Sequence, residues 1–268
     1  MCYNVLKGVS RLVLDDQIMH ILYEDDNIIV CVKSAGTATQ SADLRSKDLV
    51  SLIKTHLVRQ ARKNKVRLTT EPYVGLIHRL DQPVEGILVI AKDKESAANL
   101  SKQVTDNRID KRYLAVVEGI PNDDKIHLKK EVSKDGTIYI EDEIIKKSDG
   151  NARIVTGLPA DELKTLGNPE DKKISKLEYK IISSNNNRSL IEVHLLTGRF
   201  HQIRATMAYL GSPIVGDTRY GAHPLPLENA PLSPKAIALC SHKLSFKHPI
   251  TGKTMSFELE PSEAIFTE

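Results

Sequence analysis

The longest clean apolar runs in this chain are of strand length, and one of them, Ile87-Leu88-Val89-Ile90-Ala91, is reached through the stretch that constrains the fold most. That stretch is Gly75-Leu76-Ile77-His78-Arg79-Leu80-Asp81-Gln82-Pro83-Val84-Glu85-Gly86. Pro83 removes a backbone donor and biases Gln82 away from helix, while Gly75 and Gly86 accept backbone angles that other residues resist. Asp81 is thereby placed on a short, stiff turn anchored by the strand that follows. An Asp beside Pro ordinarily caps a turn and does nothing else. With His78 and Arg79 gathered beside it, the stretch also reads as an active-site loop.

Runs this short exclude a membrane-spanning helix, and the first twenty residues lack the charged-then-apolar pattern of a signal peptide, so a cytoplasmic protein is expected. At 268 residues with 40% hydrophobic content, the chain fits one large domain or one with a small appendage. Cys2, Cys31 and Cys240 are odd in number and far apart, which suggests neither a disulfide framework nor a paired-Cys zinc site. His194 and His201 have no carboxylate or Cys at ligand spacing, so no metal is expected. The net charge of +3 does not by itself imply a polyanionic partner. Its distribution says more: Lys54, Arg59, Arg62, Lys63, Lys65 and Arg67 stand in a run without Asp or Glu. Such a run is either a solvated helix face or a surface for phosphates.

Along the chain, residues 1–20 form an N-terminal segment too short for a separate domain, with Leu12-Val13-Leu14 a short strand at most. Ile21 to Val32 reads as strand, acidic turn, strand. Ser46 is positioned to cap a helix through Leu49, Ile53 and Leu57, and Asp93 to cap a second through Ala97, Leu100 and Val104. Lys111 to Gly119 alternates as a strand. From Glu131 to Lys173 glycines and prolines break the pattern into short strands and loops, an insertion in which Ile138-Tyr139-Ile140 and Ala152 to Val155 are candidates to pair. Lys176–Ile182 and Leu190–Leu196 make a hairpin. Thr197 then caps a helix ending near Gly211, with Phe200, Ile203, Met207 and Leu210 as its apolar stripe and Arg199 and Arg204 at the margins. Arg199 in a first turn opposes the helix dipole, a local cost that hints at function. Ala222 to Lys235 is a proline-rich loop, followed by strands at Ile237–Cys240, Leu244–Phe246 and Thr254–Leu259.

Three of these segments, in the right order, resemble the RluA-type RNA pseudouridine synthases. His78-Arg79-Leu80-Asp81 with Gly86 and the strand ending Ala91-Lys92 resembles the catalytic signature, Tyr113 in its strand the second motif, and Gly198-Arg199-Phe200-His201-Gln202-Ile203-Arg204 through Gly221 the third. Val32-Lys33-Ser34 stands where the family usually shows Asn-Lys-Pro, and Val84-Glu85-Gly86 where it shows Thr-Ser-Gly. The resemblance implies an α+β fold: a mixed, mainly antiparallel central sheet with flanking helices and loops around a catalytic cleft. It places the catalytic domain at 21–268, with a possible insertion at about 131–173 and no separate RNA-binding domain ahead of it.

The same resemblance implies isomerisation of specific uridines in RNA to pseudouridine, without a cofactor, by a monomer acting on ribosomal RNA first and transfer RNA second. Asp81 is the implied catalytic carboxylate, as nucleophile or as base. Arg199 is its implied partner, with Arg204 the second choice, and Tyr113 packs against the target base. Arg79, His78 and Arg204 are the substrate-binding candidates, Arg79 by filling the place of an extracted base or holding phosphate. Two other readings remain open. One is a non-catalytic RNA-binding or RNA-folding factor on the same scaffold; the other is a glycosidase pairing Asp81 with Glu85, though both carboxylates would then share one loop.

Overall fold

The computed structural model describes residues 19–42, 47–185, 187–225, 232 and 234–267. It divides the chain into two compact units, one from residues up to Asp110 with Ser241–Pro261, the other from Lys111–Cys240 with the residues from Ser262 on. In chain order the elements are β1 (Met19–Glu24), β2 (Ile28–Lys33), α1 (Leu49–Lys63), β3 (Gly75–Leu76), β4 (Glu85–Ala91), α2 (Lys94–Thr105), β5 (Asp110–Glu118) and β6 (Lys129–Val132). There follow β7 (Ile138–Lys146), β8 (Ala152–Ile154), α3 (Ala160–Leu166), β9 (Lys173–Asn185), β10 (Arg188–Leu195), α4 (Gln202–Tyr209), β11 (Leu239–Lys247) and β12 (Thr254–Glu258). The fold is α+β and its strands pair mainly antiparallel, as expected.

In the first unit β2 lies between β1 and β4, with Lys33 opposite Gly86 in the register. The acidic turn between β1 and β2 is closed by Asp25, whose carboxylate accepts from the backbone N–H of Asn27 and Ile28, each at 2.8 Å. All seven residues of β4 are buried, and its unbroken apolar run fits a strand covered on both faces. Ile28, Val30, Ile87 and Val89 pack with Leu100 of α2 and with Leu244, Phe246, Met255 and Phe257 of β11 and β12. Asp93 caps α2, as its sequence predicts. The cap of α1 differs from expectation: Asp48 accepts from Ser51 N at 2.7 Å while Ser51 Oγ accepts from Asp48 N at 3.1 Å, a reciprocal capping box. Ser46 and the Leu12–Leu14 segment lie outside the described residues.

In the second unit the strand order is β5-β10-β9-β7-β6, with β8 on the far end of β7. β10 alternates buried and part-exposed residues along its whole length, the pattern of a sheet covered on one face. The 131–173 stretch is more regular than its glycines and prolines suggest. Ile138 to Ile144 pairs with β9, and it is Ile144, Ile145 and Lys146, not Ile138 to Ile140, that pair with Ala152 to Ile154. Helix α4 is shorter than expected. It starts at Gln202, because His201 takes a left-handed backbone (φ 50°), so Arg199 and Phe200 precede it and the dipole argument for Arg199 does not apply. The two short strands expected at Ile237–Cys240 and Leu244–Phe246 are replaced by the single strand β11.

Gly86 is the tightest point of the first unit. Its φ is +146°, and a Cβ there would fall 2.5 Å from the backbone nitrogen of Ser241 on β11. Gly86→Ala should therefore destabilise the protein by at least about 2 kcal/mol in urea titrations followed by circular dichroism. A loss below about 1 kcal/mol would mean that the two backbones are not held this close.

Candidate active site

The segment between β3 and β4 that carries Asp81 is pinned by five hydrogen bonds. Thr39 Oγ1 donates to Leu80 O at 2.8 Å and accepts from Leu80 N at 3.2 Å. Gly36 N donates to Gln82 O at 2.8 Å, and Gln82 Nε2 donates back to Gly36 O at 3.0 Å. Val84 N closes the turn on Asp81 O at 3.0 Å, and the side chains of Leu80 and Val84 are buried beneath it. Asp81 is half-buried and Arg79 is exposed, so the turn holds its polar residues at the surface by sinking its apolar ones. His78 is half-buried, with Nε2 at 3.5 Å from Val89 N.

Beneath this turn lies Lys33, fully buried at the end of β2. Its ammonium donates to three carbonyls, Thr37 O at 2.8 Å and Ser34 O and Gln82 O at 3.2 Å each. Burial drives its pKa down from 10.5 to about 8, while the negative charges of Asp81 and Glu85 pull the other way. A buried ammonium without such partners would simply lose its proton. Sequence reading named Lys33 only within the stretch that stands for the family's Asn-Lys-Pro and gave it no role, although a lysine closing an otherwise apolar, wholly buried strand was the available signal.

In the second unit Tyr113 is buried on β5, opposite Val193 of β10. Lys111, two residues before it, is buried on the same face, and burial lowers its pKa. Its Nζ lies 3.9 Å from where a Cβ on Gly198 would stand, so that glycine leaves room beside the ammonium. Sequence reading gave this lysine no role either, for want of any sign beyond strand alternation.

The Thr197–His201 segment is wound around the carboxamide of Gln202. Gln202 Oε1 accepts from Thr197 Oγ1 at 2.8 Å and from Arg199 N at 3.0 Å, and its Nε2 donates to Lys176 O at 3.0 Å. The two arginines of this motif end up in different surroundings. Arg199 is exposed, with Nε donating to Ile174 O at 2.7 Å. Arg204 is buried, and Nε and Nη2 form a fork on Asp217 at 2.7 and 2.8 Å. His201 rests on this pair: Nε2 faces Arg204 Nη1 at 3.1 Å and Nδ1 faces the Tyr220 hydroxyl at 2.9 Å. Nε2 must accept from a guanidinium, so the ring proton sits on Nδ1 and is donated to Tyr220. Burial and the repulsion of Arg204 and Arg219 push the His201 pKa down to about 3, which keeps the ring neutral.

The structure thus keeps His78, Arg79 and Asp81 together on one turn of the first unit, and sets Tyr113, Arg199 and Arg204 on β5 and around Gln202 in the second. A carboxylate, a tyrosine and guanidinium groups are side chains that many classes of enzyme use.

Comparison with known proteins narrows the choice. The sequence profile of the RNA pseudouridylate synthase family matches residues 27–209. Ribosomal large subunit pseudouridine synthase D of Zymomonas mobilis is 30% identical over 247 residues, covering 90% of this chain and 69% of the relative. Ribosomal large subunit pseudouridine synthase C of Rickettsia bellii is 31% identical over 240 residues, covering 89% and 67%. Among solved structures, human RNA pseudouridylate synthase domain containing 4 superposes with a TM-score of 0.63 at 20% identity, over 92% of this chain and 90% of that one. The chain belongs to the RNA pseudouridylate synthase family, in its RluA-type branch, and is an isomerase that converts uridine in RNA to pseudouridine. No described helix is long and apolar enough to cross a membrane.

Two outcomes follow from the side chains around these turns. The folded pKa of Lys33 lies below its unfolded value, so the cost of burying its charge is carried in full below about pH 8 and fades as pH rises towards 10.5. Unfolding free energy should rise between pH 7.5 and 10 by about 2–3 kcal/mol more in wild type than in Lys33→Met; parallel pH curves in urea would contradict the assignment. Asp217→Asn strands the buried Arg204 charge and should lower stability by about 3 kcal/mol, measured by the same titration at pH 7.

Proposed function

We propose that Asp81 is the catalytic carboxylate of this isomerase, that Tyr113 and Arg199 are its partners in catalysis, and that ribosomal RNA is the substrate. The observation that carries the reading is the turn itself: a half-buried Asp, in the segment that matches the family's catalytic signature, fixed by Thr39, Gly36 and Lys33. Attack on the ribose, or removal of a proton from it, needs an ionised carboxylate, and Lys33 puts positive charge below the turn for that purpose. The bond from ribose to the uracil nitrogen breaks, the base turns, and ribose bonds to carbon 5, whose proton is released while the nitrogen regains one. Nothing is consumed, so no cofactor is called for.

Tyr113 supports the base from β5, the role implied by its match to the second motif. Arg199 is the better placed of the two motif arginines to meet an outside anion, because Arg204 already has a buried carboxylate to satisfy. Arg79, exposed on the catalytic turn, is free in reach to hold phosphate or fill the place of an extracted uridine, and His78 supports the turn from within. Residues 21–268 act together as the catalytic region. Ribosomal RNA is preferred over transfer RNA because both relatives named above are ribosomal large subunit synthases. A cytoplasmic monomer completes the proposal.

RNA carrying tritium at carbon 5 of uridine tests the whole reading. Wild type should release tritium to water from ribosomal RNA, and Asp81→Ala should release none above background. Release of free uracil instead would indicate a glycosidase, and RNA binding with no release from either protein would indicate a non-catalytic factor.

A further inference from the structure

The run of cations seen in the sequence has an unusual status in the structure. Arg59, Arg62, Lys63, Lys65 and Arg67 are all exposed, and among the described residues none of them makes an ion pair or a side-chain hydrogen bond. Several surface cations elsewhere are compensated, Arg153 by Glu162, Lys147 by Asp149, Lys172 by Glu143 and Lys180 by Asp135. Others, such as Lys94, Lys125 and Lys253, stand alone among the described residues, and what sets the tract apart is five such cations within nine residues that hold no carboxylate. Lys54, at the head of the run, is paired with Glu71 at 2.8 Å. The buried face of α1 is Leu49, Ile53 and Leu57, and a helical step of about 100° per residue puts Arg62 opposite its centre, with Arg59 and Lys63 turned towards one flank.

Helix stability does not account for the tract. The dipole favours cations only in the last turn, which covers Arg62 and Lys63 but neither Arg59 nor the residues beyond the helix. Arg59 with Arg62 and Lys63 makes like-charge pairs at spacings of three and four, each costing a few tenths of a kcal/mol. The helix closes with Val66 N on Ala61 O at 2.9 Å and Lys65 N on Arg62 O at 3.1 Å. Lys65 takes the left-handed position (φ 57°) that such a closure ordinarily gives to glycine. Val66 and Leu68 then stand exposed among the charges. Charge repulsion, backbone strain and exposed apolar surface all fall on the same nine residues, Arg59 to Arg67, and the one beyond.

We infer that this tract, from Arg59 at the end of α1 to Arg67, is a docking surface for the phosphate backbone of the RNA away from the target uridine. The inference rests on the reading that the chain acts on RNA. Five uncompensated cations along about one and a half helical turns and the segment beyond can follow successive phosphates, and Val66 and Leu68 lie where riboses would cover them. Sequence-independent contacts of this kind supply affinity and release counterions.

The test measures binding of a labelled oligouridylate by fluorescence anisotropy over a series of salt concentrations. Each lost contact to a single strand should lower the slope of log affinity against log salt by about 0.7, so Arg59→Gln/Arg62→Gln/Arg67→Gln should lose roughly two units of slope. On tritium-labelled RNA the same variant should show its loss in KM. Lys65→Gly separates binding from folding: it relieves the backbone strain, so it should raise the melting temperature while weakening RNA binding. Lys147→Gln/Lys180→Gln, whose ammonium groups are paired, is the control and should keep the wild-type slope. An unchanged slope in the triple variant, or binding of the tract to phosphatidylserine vesicles and not to RNA, would overturn the inference. Tritium release with an unchanged slope would remove the docking surface alone, whereas a reduced slope without tritium release would leave it standing and remove the Asp81 chemistry.

Discussion

A buried ammonium is among the costliest groups a protein can contain, and the first unit is organised around one. Lys33 is tolerable because three carbonyls surround its nitrogen and two carboxylates, Asp81 and Glu85, lie within its field. Two of those carbonyls belong to the segment after β2 and the third to the Asp81 turn, so a single side chain ties the two together. The tie works only in one register. Lys33 stands opposite Gly86 in the β2–β4 pairing, and a slip of one residue would send the lysine to the other face of the sheet. Gly86 in turn is required because β11 passes too close for any Cβ. The most apolar strands of the chain are thus the frame on which its most polar turn is fixed.

The second unit fixes its polar motif by a different device. The segment from Thr197 to His201 is held by a carboxamide, with Gln202 satisfying donors ahead of α4 and an acceptor on β9. Helix α4 is then seated on Ile144, Ala152 and Ile154 through Ala205, and Tyr209 sets its ring against the edge of His127. The stretch that reads as an insertion is therefore part of the support for the motif helix. Its own interior is partly polar: His127 meets Asp142 at 2.9 Å, and Thr156 donates to the same carboxylate.

These particulars explain what could be read in advance. The strands around Val30, Val89 and Ala115 and the helices α1 and α2 announce themselves because packing there follows the apolar period. The far half of β7 does not, since Asp142 is buried against a histidine and a threonine and breaks the alternation that a strand should display. The start of α4 was hidden for a conformational reason, a left-handed His201 being invisible to any periodicity. The cap of α1 is Asp48, which answers Ser51 within the helix and also accepts from Ser41 N at 2.7 Å, seven residues away, a bond that no local rule weighs. Of the candidate site, the His78–Asp81 turn and the Gly198–Arg204 motif were legible through their resemblance. Lys33 and Lys111 were not, because a lysine in a strand ordinarily faces water.

Charge distribution follows the same logic at the surface. A net charge of +3 describes this protein poorly, because some of its cations are cancelled locally and others are left together without a carboxylate. Compensation, not number, decides what a cation is available to do. Arg204 is fully occupied by Asp217 and shapes the motif from inside, while Arg199, five residues earlier, is engaged through Nε and remains exposed. Arg59 to Arg67 is the limiting case, five cations with no carboxylate to hold them, on a segment that gives up helix and turn stability to keep them there. A polyanion supplies what the chain withholds, and in a family that acts on RNA the phosphate backbone is the polyanion at hand.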